Sequence, residues 1–149
     1  EVRRIVKDLR PSILDDLGIK ATIKWFCREF SNVYTSIQIK RELDFQEDAV
    51  PSALKTVIYR ILQEALNNIA KHSQADSILL TLKKEDNRIK LRIEDNGMGF
   101  DLAKAISLKP SQRGFGLASM RERAELSGGE FNINSMEGKG TWIKVNWEI

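Results

Sequence analysis

Apolar residues recur at helical spacing in three stretches of the first half of the chain. The first stretch predicts a helix that stops at Pro11, and Gly18 closes the short connection after it. A second helix follows Gly18, and a third starts near Pro51 and ends at His72-Ser73. The apolar positions of the three helices are Val2, Ile5, Val6 and Leu9; Ile23, Phe26, Cys27, Phe30 and Val33; and Leu54, Ile58, Ile61, Leu62, Ala65, Leu66 and Ile69.

Alternating apolar and polar residues predict five strands, the first around Ile37 and Ile39. The other four are expected over residues 77–83, 89–93, 130–134 and 141–147. A turn at residues 85–87 joins two of them, and a helix over residues 117–127, closed by Gly128-Gly129, precedes the last two. Helices and strands in mixed order, with two hairpins, favour an α+β two-layer sandwich over a doubly wound parallel sheet.

Composition excludes several classes of site. The chain has 149 residues, enough for one domain. A single cysteine, Cys27, excludes a disulfide framework, and a single histidine, His72, excludes a multi-histidine metal centre. Its 24 basic and 21 acidic residues are mixed along the chain with a net charge of +3, so no nucleic-acid partner is expected. No apolar run approaches the roughly 20 residues that span a bilayer, and no signal peptide is visible.

Glycines concentrate at three points that differ from ordinary hairpin turns. These points are Gly97-Met98-Gly99, Gly114-Phe115-Gly116 and Gly138-Lys139-Gly140. Glycine permits positive φ and close backbone approach, which a loop wrapped around a ligand needs. The spacings of a P-loop and of the dinucleotide-binding G-x-G-x-x-G are both absent. Because Leu117 opens a predicted helix directly after a glycine pair, the unpaired N–H groups of that helix end form a candidate anion site.

The parity of two strands places polar side chains on the apolar face of the sheet. Asp95 lies on the face of Leu91 and Ile93, so its carboxylate points toward the core just before Gly97. An inward carboxylate is costly unless donors satisfy it. Two explanations stay open: a structural aspartate that accepts N–H bonds from its own turn, or an acceptor for a ligand amino group. Thr141 also lies on the inward face of its strand.

One flank of the third helix carries polar residues of complementary chemistry. Glu64, Asn68 and Lys71 lie beside the apolar face, His72 lies at its edge, and Asn67 is expected to face solvent. Glutamate and asparagine oxygens suit Mg²⁺, and lysine binds phosphate as a point charge. The alternative is an ordinary solvated helix flank. Together with the glycine turns and the inward aspartate, the flank forms a set of parts for a magnesium nucleotide.

Four stretches, in this order, resemble the N, G1, G2 and G3 boxes of the GHKL ATP-binding fold. They are QEALNNIAKHS (63–73), EDNGMGF (94–100), RGFGLASMRER (113–123) and EGKGTWIKV (137–145). The group contains sensor histidine kinases, gyrase and heat-shock-protein-90 ATPases, and mismatch-repair proteins. Its fold is a two-layer α/β sandwich with a mixed sheet and helices packed on one face. LRPSILDDLGIKATI (9–23) resembles, more narrowly, the segment that joins a helical hairpin to the ATP-binding domain in nitrate-sensor and lipid-desaturase-sensor kinases.

The resemblance implies ATP as the ligand and gives the matching residues roles around adenine. Asp95 would accept a hydrogen bond from the adenine amino group, and Thr141 would support that contact. Gly97 and Gly99 would let the adenine loop approach the base. The distance between Gly99 and Gly114 is short, which implies a brief lid over the ATP site. The amides of Gly114, Gly116 and Leu117 would then contact the phosphates. The lid would also carry Lys104, Lys109 and Arg113, which either reach phosphate or are solvated.

At the phosphate end, the resemblance implies Mg²⁺ and four catalytic residues. Asn68 would coordinate the metal, and Glu64 would hold a metal-bound water or assist the chemistry. Lys71 and His72 would face the phosphates. The chain contains no other histidine, whereas family members transfer the γ-phosphoryl group to a histidine on the first helix of their hairpin. We therefore expect a histidine kinase domain that acts on a separate hairpin and does not phosphorylate itself.

The resemblance also implies an organisation and partners. Residues 1–18 would be the remnant of the second hairpin helix with its connector, and residues 19–149 the ATP-binding catalytic domain. Because the chain begins with Glu1 rather than Met, we expect it to be a piece of a longer protein. Members dimerise through the hairpin, so the parent is expected to be a homodimer and this piece a monomer without membrane contact of its own.

In the parent protein, the phosphoryl group would pass from the histidine to an aspartate of a response regulator. The parent is expected to be anchored in the bacterial inner membrane, with this domain on the cytoplasmic side. Two alternatives of the same fold stay open. One is an anti-sigma-factor serine kinase, and the other is a non-catalytic module that binds ATP and changes shape.

Overall fold

The computed structural model describes residues 12–101 and 117–149, in which helices and strands occur in mixed order. The helices are α1 (Ser12–Val33), α2 (Ser52–Asn68) and α3 (Leu117–Leu126). The strands are β1 (Gln38–Asp44), β2 (Ser77–Glu85), β3 (Arg88–Asp95), β4 (Gly129–Met136) and β5 (Gly140–Glu148). Within those ranges, no helix has the length and hydropathy of a bilayer span. The helix predicted before Pro11 lies outside them.

The five strands form one mixed sheet in the order β1-β2-β3-β5-β4. β1 runs parallel to β2, and the other neighbours are antiparallel. The two predicted hairpins join β2 to β3 and β4 to β5, and Asp86 adopts a positive φ of 53° in the first turn. The predicted α+β architecture with a mixed sheet is therefore confirmed.

One face of the sheet packs against the helices. Every second residue of the central strands is buried there, and these side chains join the apolar faces of α1 and α2 in a single core. Burial of one such leucine or isoleucine stabilises the fold by about 1.5–3 kcal/mol. Cys27 belongs to this core with 2% exposure, as its place on the apolar face of a helix predicted.

The connection predicted over residues 11–18 is instead helical, and this expectation was wrong from Ser12 onward. α1 begins at Ser12 and bends at Gly18, whose φ of 90° and ψ of −177° are not helical. Leu14 is buried, so packing against the core stabilises this short helical segment, and the break predicted at Gly18 is present as the bend. After the bend, the carboxylate of Glu47 accepts hydrogen bonds from the backbone N–H groups of Ile19 (2.8 Å) and Lys20 (3.0 Å).

The end of α2 differs from a regular helix, and this difference shapes the site. A π turn over Ile69–Ser73 follows Asn68, and Gln74 ends it in the left-handed conformation. The prediction that Asn67 faces solvent was wrong, because its side chain is buried at 9% exposure. α2 contacts α1 and α3 as well as the sheet, so the side away from the apolar stripe is not automatically in water.

Candidate functional site

A cavity of about 200 Å³ opens between the end of α2, the end of β3, the start of β5 and the start of α3. Its walls are largely apolar, with a few polar groups that converge on the space. The lining residues are Ala65, Asn68, Ile69, His72, Ser73, Ile93, Asp95, Met98, Gly99, Phe100, Leu117, Met120, Ile133, Thr141 and Ile143. Residues from all four resembling boxes therefore meet at one place, although they are far apart in sequence.

Asp95 supplies the buried carboxylate of the cavity. Its exposure is 6%, which confirms the inward orientation predicted from strand parity. The N–H of Gly97 donates to Asp95 Oδ1 at 2.8 Å, and the backbone N–H of Thr141 also donates to the carboxylate. Burial raises the pKa of Asp95 above its ordinary value, and these two N–H groups partly oppose the rise. Asp95 thus accepts a bond from its own turn and also lines the cavity.

The turn after Asp95 is fastened on both sides by backbone hydrogen bonds. Met98 donates its N–H to the carbonyl of Ser73 at 2.6 Å and accepts the N–H of Gly138 at 2.6 Å. A Cβ on Gly97 would overlap the Ser73 carbonyl oxygen, so glycine is needed there for close approach. Gly99 has a φ of 63°, and a Cβ on it would overlap the Met136 carbonyl. The glycines therefore join α2, β3 and the β4–β5 turn.

Thr141 is the cross-strand partner of both Asp95 and Ser135. Its hydroxyl lies 2.6 Å from the Ser135 hydroxyl, which also accepts the N–H of Phe100 at 2.9 Å. Sequence reasoning missed Ser135, which is buried at 6% exposure. The parity of β4, set by buried Phe131, would have placed Ser135 on the inward face beside Thr141.

The polar flank of α2 divides at the cavity. Asn68 and His72 line it, whereas the half-buried Glu64 and the exposed Lys71 lie outside its lining. The π turn separates Lys71 from Asn68 by a wider arc than a regular helix would. The structure thus brings an amide and an imidazole to the wall, with a carboxylate one turn earlier on the same helix.

The start of α3 closes the remaining side of the cavity. Leu117, its first residue, lines the wall together with Met120, a buried residue that sequence reasoning did not select. Arg113, Gly114 and Gly116 lie outside the described residues, as do Lys104 and Lys109. The helix predicted over residues 117–127 is confirmed, because α3 spans Leu117–Leu126.

Comparison with solved structures places this fold among histidine kinase catalytic domains. A blue-light activated histidine kinase from Erythrobacter litoralis superposes with a TM-score of 0.70 at 18% identity, over 86% of this chain and 41% of the other. The catalytic domain of the histidine kinase ThkA gives a TM-score of 0.62 at 16% identity, over 85% of this chain and 91% of the other. At such low identity, the likeness establishes the fold.

Sequence relatives extend the likeness to the whole chain. The oxygen sensor histidine kinase NreB of Staphylococcus carnosus is 36% identical over 149 residues, which are 100% of this chain and 42% of NreB. The sensor histidine kinase MctS of Rhizobium johnstonii is 36% identical over 95% of this chain and 30% of its own length. The chain thus spans less than half the length of these two relatives.

The family described as histidine kinase-, DNA gyrase B-, and HSP90-like ATPase matches residues 54–149. This range begins in α2 and contains all the cavity-lining residues, from Ala65 to Ile143. Because this match covers most of the chain, the chain belongs to the histidine kinase-, DNA gyrase B- and HSP90-like ATPase family.

Proposed function

We propose that this chain is the catalytic domain of a sensor histidine kinase and binds Mg-ATP in the cavity between α2, the end of β3 and the start of β5. Membership of an ATPase family makes ATP the expected nucleotide. The observation that carries the proposal is the buried carboxylate of Asp95 in a largely apolar cavity. A flat base fits between apolar walls, and an acceptor at the end of the cavity selects a base with an amino group there.

The adenine end is built from β3 and β5. Two backbone N–H groups hold the Asp95 carboxylate in place, so it is oriented before a ligand arrives. Thr141 lies directly across from it in the sheet register. Gly97 and Gly99 hold the loop close enough to form the wall. We assign the adenine contact to Asp95, with Thr141 in support.

The phosphate end is assigned to α2 and the start of α3. The described ranges contain no group of three or more His, Cys, Asp or Glu residues that would cage a metal. Mg²⁺ that arrives with a nucleotide needs only one or two protein oxygens, since phosphates and waters complete its coordination. The Asn68 amide oxygen, with Glu64 one turn earlier, fits that need. The metal would neutralise phosphate charge, while Lys71, His72 and the lid residues Arg113, Gly114 and Gly116 orient the phosphates.

The transfer step is proposed from the sensor histidine kinases to which the chain is similar. The γ-phosphoryl group moves to a histidine on a hairpin outside this chain, and from there to an aspartate of a response regulator. Residues 1–18 connect this domain, residues 19–149, to that hairpin. The parent protein dimerises through this hairpin, and the isolated domain is a monomer. The parent is anchored in the bacterial membrane, with this domain in the cytoplasm.

Calorimetric titration of Mg-ADP tests the adenine site. Asp95→Asn should weaken binding about 10- to 100-fold, the worth of one hydrogen bond to a charged group. Glu94→Gln is the matched control, because Glu94 is adjacent but faces the outer side of the sheet beside Arg92. Equal binding by the wild type and both variants would remove Asp95 from the site. Absence of binding to the wild type at millimolar nucleotide would overturn the proposal.

A transfer assay with labelled ATP tests the reaction, with the hairpin of the full-length protein added as a separate polypeptide. We expect acid-labile phosphohistidine on the hairpin and none on this chain. Acid-stable phosphoserine on another protein would favour the serine kinase of the same fold. Nucleotide binding without transfer to the hairpin would favour the non-catalytic module.

A further inference from the structure

Ser135 is a buried hydroxyl behind the cavity wall that the proposed function does not use. It does not line the cavity, but its Oγ lies 2.6 Å from Thr141 Oγ1, which does. The N–H of Phe100 donates to the same Oγ at 2.9 Å, and the carbonyl oxygen of Gly140 lies 3.4 Å from it. Ser135 therefore contacts Thr141 through a hydroxyl that other partners already constrain.

Proton counting distinguishes two arrangements of these hydroxyls. A hydroxyl has one proton to donate and two lone pairs. If Ser135 donates to Gly140, it accepts from both Phe100 and Thr141, and every contact of its Oγ becomes a hydrogen bond. If Ser135 instead donates to Thr141, the Gly140 contact has no proton. Because buried polar groups that lose a partner are destabilised, the first arrangement is favoured.

We propose that Ser135 is a positioning residue that takes the hydroxyl proton of Thr141 and so makes Thr141 an acceptor toward the cavity. This inference rests on the proposed adenine site. Two acceptors, the Thr141 hydroxyl and the Asp95 carboxylate, then lie on cross-strand partner residues. They suit an exocyclic amino group and repel a carbonyl oxygen. Ser135 thereby sets the preference for a 6-amino purine over a 6-oxo purine without touching the base.

The matched ligands for a test are Mg-ADP and Mg-IDP, which differ at the purine 6-position and its adjacent ring nitrogen. In Ser135→Ala, Thr141 loses its proton acceptor and can turn its O–H into the cavity. We expect the ratio of ADP to IDP affinity to fall about tenfold, the worth of one neutral hydrogen bond. Thr141→Val should lower the ratio similarly, and adding Ser135→Ala to it should change the ratio no further.

Ser127→Ala is the control for a merely structural effect. Ser127 also forms a hydrogen bond with a buried side chain, since its Oγ accepts the Trp147 Nε1–H at 2.8 Å. Unlike Thr141, Ser127 lies outside the cavity lining. This variant should be less stable, with the wild-type ADP to IDP ratio. Ser135→Cys, which keeps the side-chain shape but is a weaker hydrogen-bonding partner, gives the same readout if Ser135→Ala does not fold.

The outcomes separate this inference from the proposed function. If Ser135→Ala or Ser135→Cys keeps the wild-type ratio of ADP to IDP affinity, or loses affinity equally for both ligands, the role of Ser135 is overturned. The proposed adenine site is unaffected by that result. Failure of the wild type to bind ADP would overturn both. If the Ser135 variants lower the ratio of ADP to IDP affinity, and Ser135→Ala lowers it no further when Thr141→Val is already present, Ser135 acts through Thr141.

Discussion

The backbone N–H of Met98 donates to the carbonyl of Ser73 at 2.6 Å, which fastens the glycine turn after β3 to the π turn after α2. This bond brings the two backbones so close that Gly97 has no room for a side chain. A Cβ there would overlap the Ser73 carbonyl oxygen and lie 2.6 Å from Ser73 Cβ. The adenine and phosphate ends of the proposed site thus share one rigid junction.

Gly97→Ala should therefore impair both stability and nucleotide binding. We expect a loss of about 2–4 kcal/mol in the free energy of unfolding, because backbone atoms must move. We also expect at least about tenfold weaker Mg-ADP binding, measured by calorimetry on the folded fraction. Gly128→Ala is the control, since Gly128 has a φ of 85° but open space around it. Gly128→Ala should lose only about 1–2 kcal/mol in the free energy of unfolding and bind Mg-ADP normally. Normal binding by Gly97→Ala would contradict the shared junction.

Asp95→Asn should separate stability from function. Burial raises the pKa of Asp95, so ionising it in the folded protein is unfavourable. Asparagine removes this charge and still offers an oxygen to the Gly97 and Thr141 N–H groups. At neutral pH the variant should be at least as stable as the wild type, although its nucleotide binding is about 10- to 100-fold weaker.

The pH dependence of that difference follows from the sign of the shift. A raised folded-state pKa favours the folded protein below the ordinary pKa of 3.8, and this benefit is lost as the pH rises through the folded-state pKa. Relative to Asp95→Asn, the wild type should therefore gain stability on acidification. Denaturant unfolding of both proteins across acidic and neutral pH measures this. A difference in free energy that is independent of pH would contradict it.

Glu47 fixes the bend of α1, and its removal should destabilise the domain. Burial pushes the pKa of Glu47 up, but hydrogen bonds from Lys55 and from the N–H groups of Lys20 and Ile19 outweigh it and leave the pKa below its ordinary value. Because the Glu47 side chain is 34% exposed, we expect Glu47→Gln to lower the free energy of unfolding by only about 1 kcal/mol at neutral pH.

A lowered pKa means that this contribution is present above the ordinary pKa of 4.5 and disappears as the pH falls through the folded-state pKa. Thermal unfolding of wild type and Glu47→Gln should therefore converge on acidification. Glu47 and the exposed Asp48 both lie in a 3₁₀ turn over Glu47–Ala49, and Asp48→Asn should change the free energy of unfolding by less than about 0.5 kcal/mol. A Glu47→Gln variant as stable as Asp48→Asn would show that the bend does not depend on this carboxylate.

Cys27 should be inert in the folded domain. Burial raises the pKa of its thiol to about 11, despite the opposing charge of Arg41. Since the thiolate is the reactive form, a thiol reagent at pH about 8 should label it only as fast as the domain unfolds. Labelling in guanidinium, where all molecules react, is the control. Rapid labelling of native protein would contradict the burial of Cys27.

Several features of the site could be predicted from local pattern alone. The inward orientation of Asp95 followed from the parity of its strand, because side chains alternate strictly between the faces of a sheet. The helix α3 was predicted from its place between Leu117 and the closing Gly128-Gly129. The helical segment of α1 before Gly18 could not be predicted in this way, because burial of Leu14 and the distant Glu47 carboxylate determine it.

The mixed order of helices and strands, the inward polar residues and the four family boxes can be read from the chain alone, because periodicity and motif spacing are local properties. Which residues meet depends on the three-dimensional packing. It buried Asn67, placed Asn68 and His72 on the cavity wall with Lys71 outside its lining, and set Ser135 behind Thr141. These outcomes depend on strand register, a π turn and contacts between helices. All three are settled by packing between segments far apart in the chain.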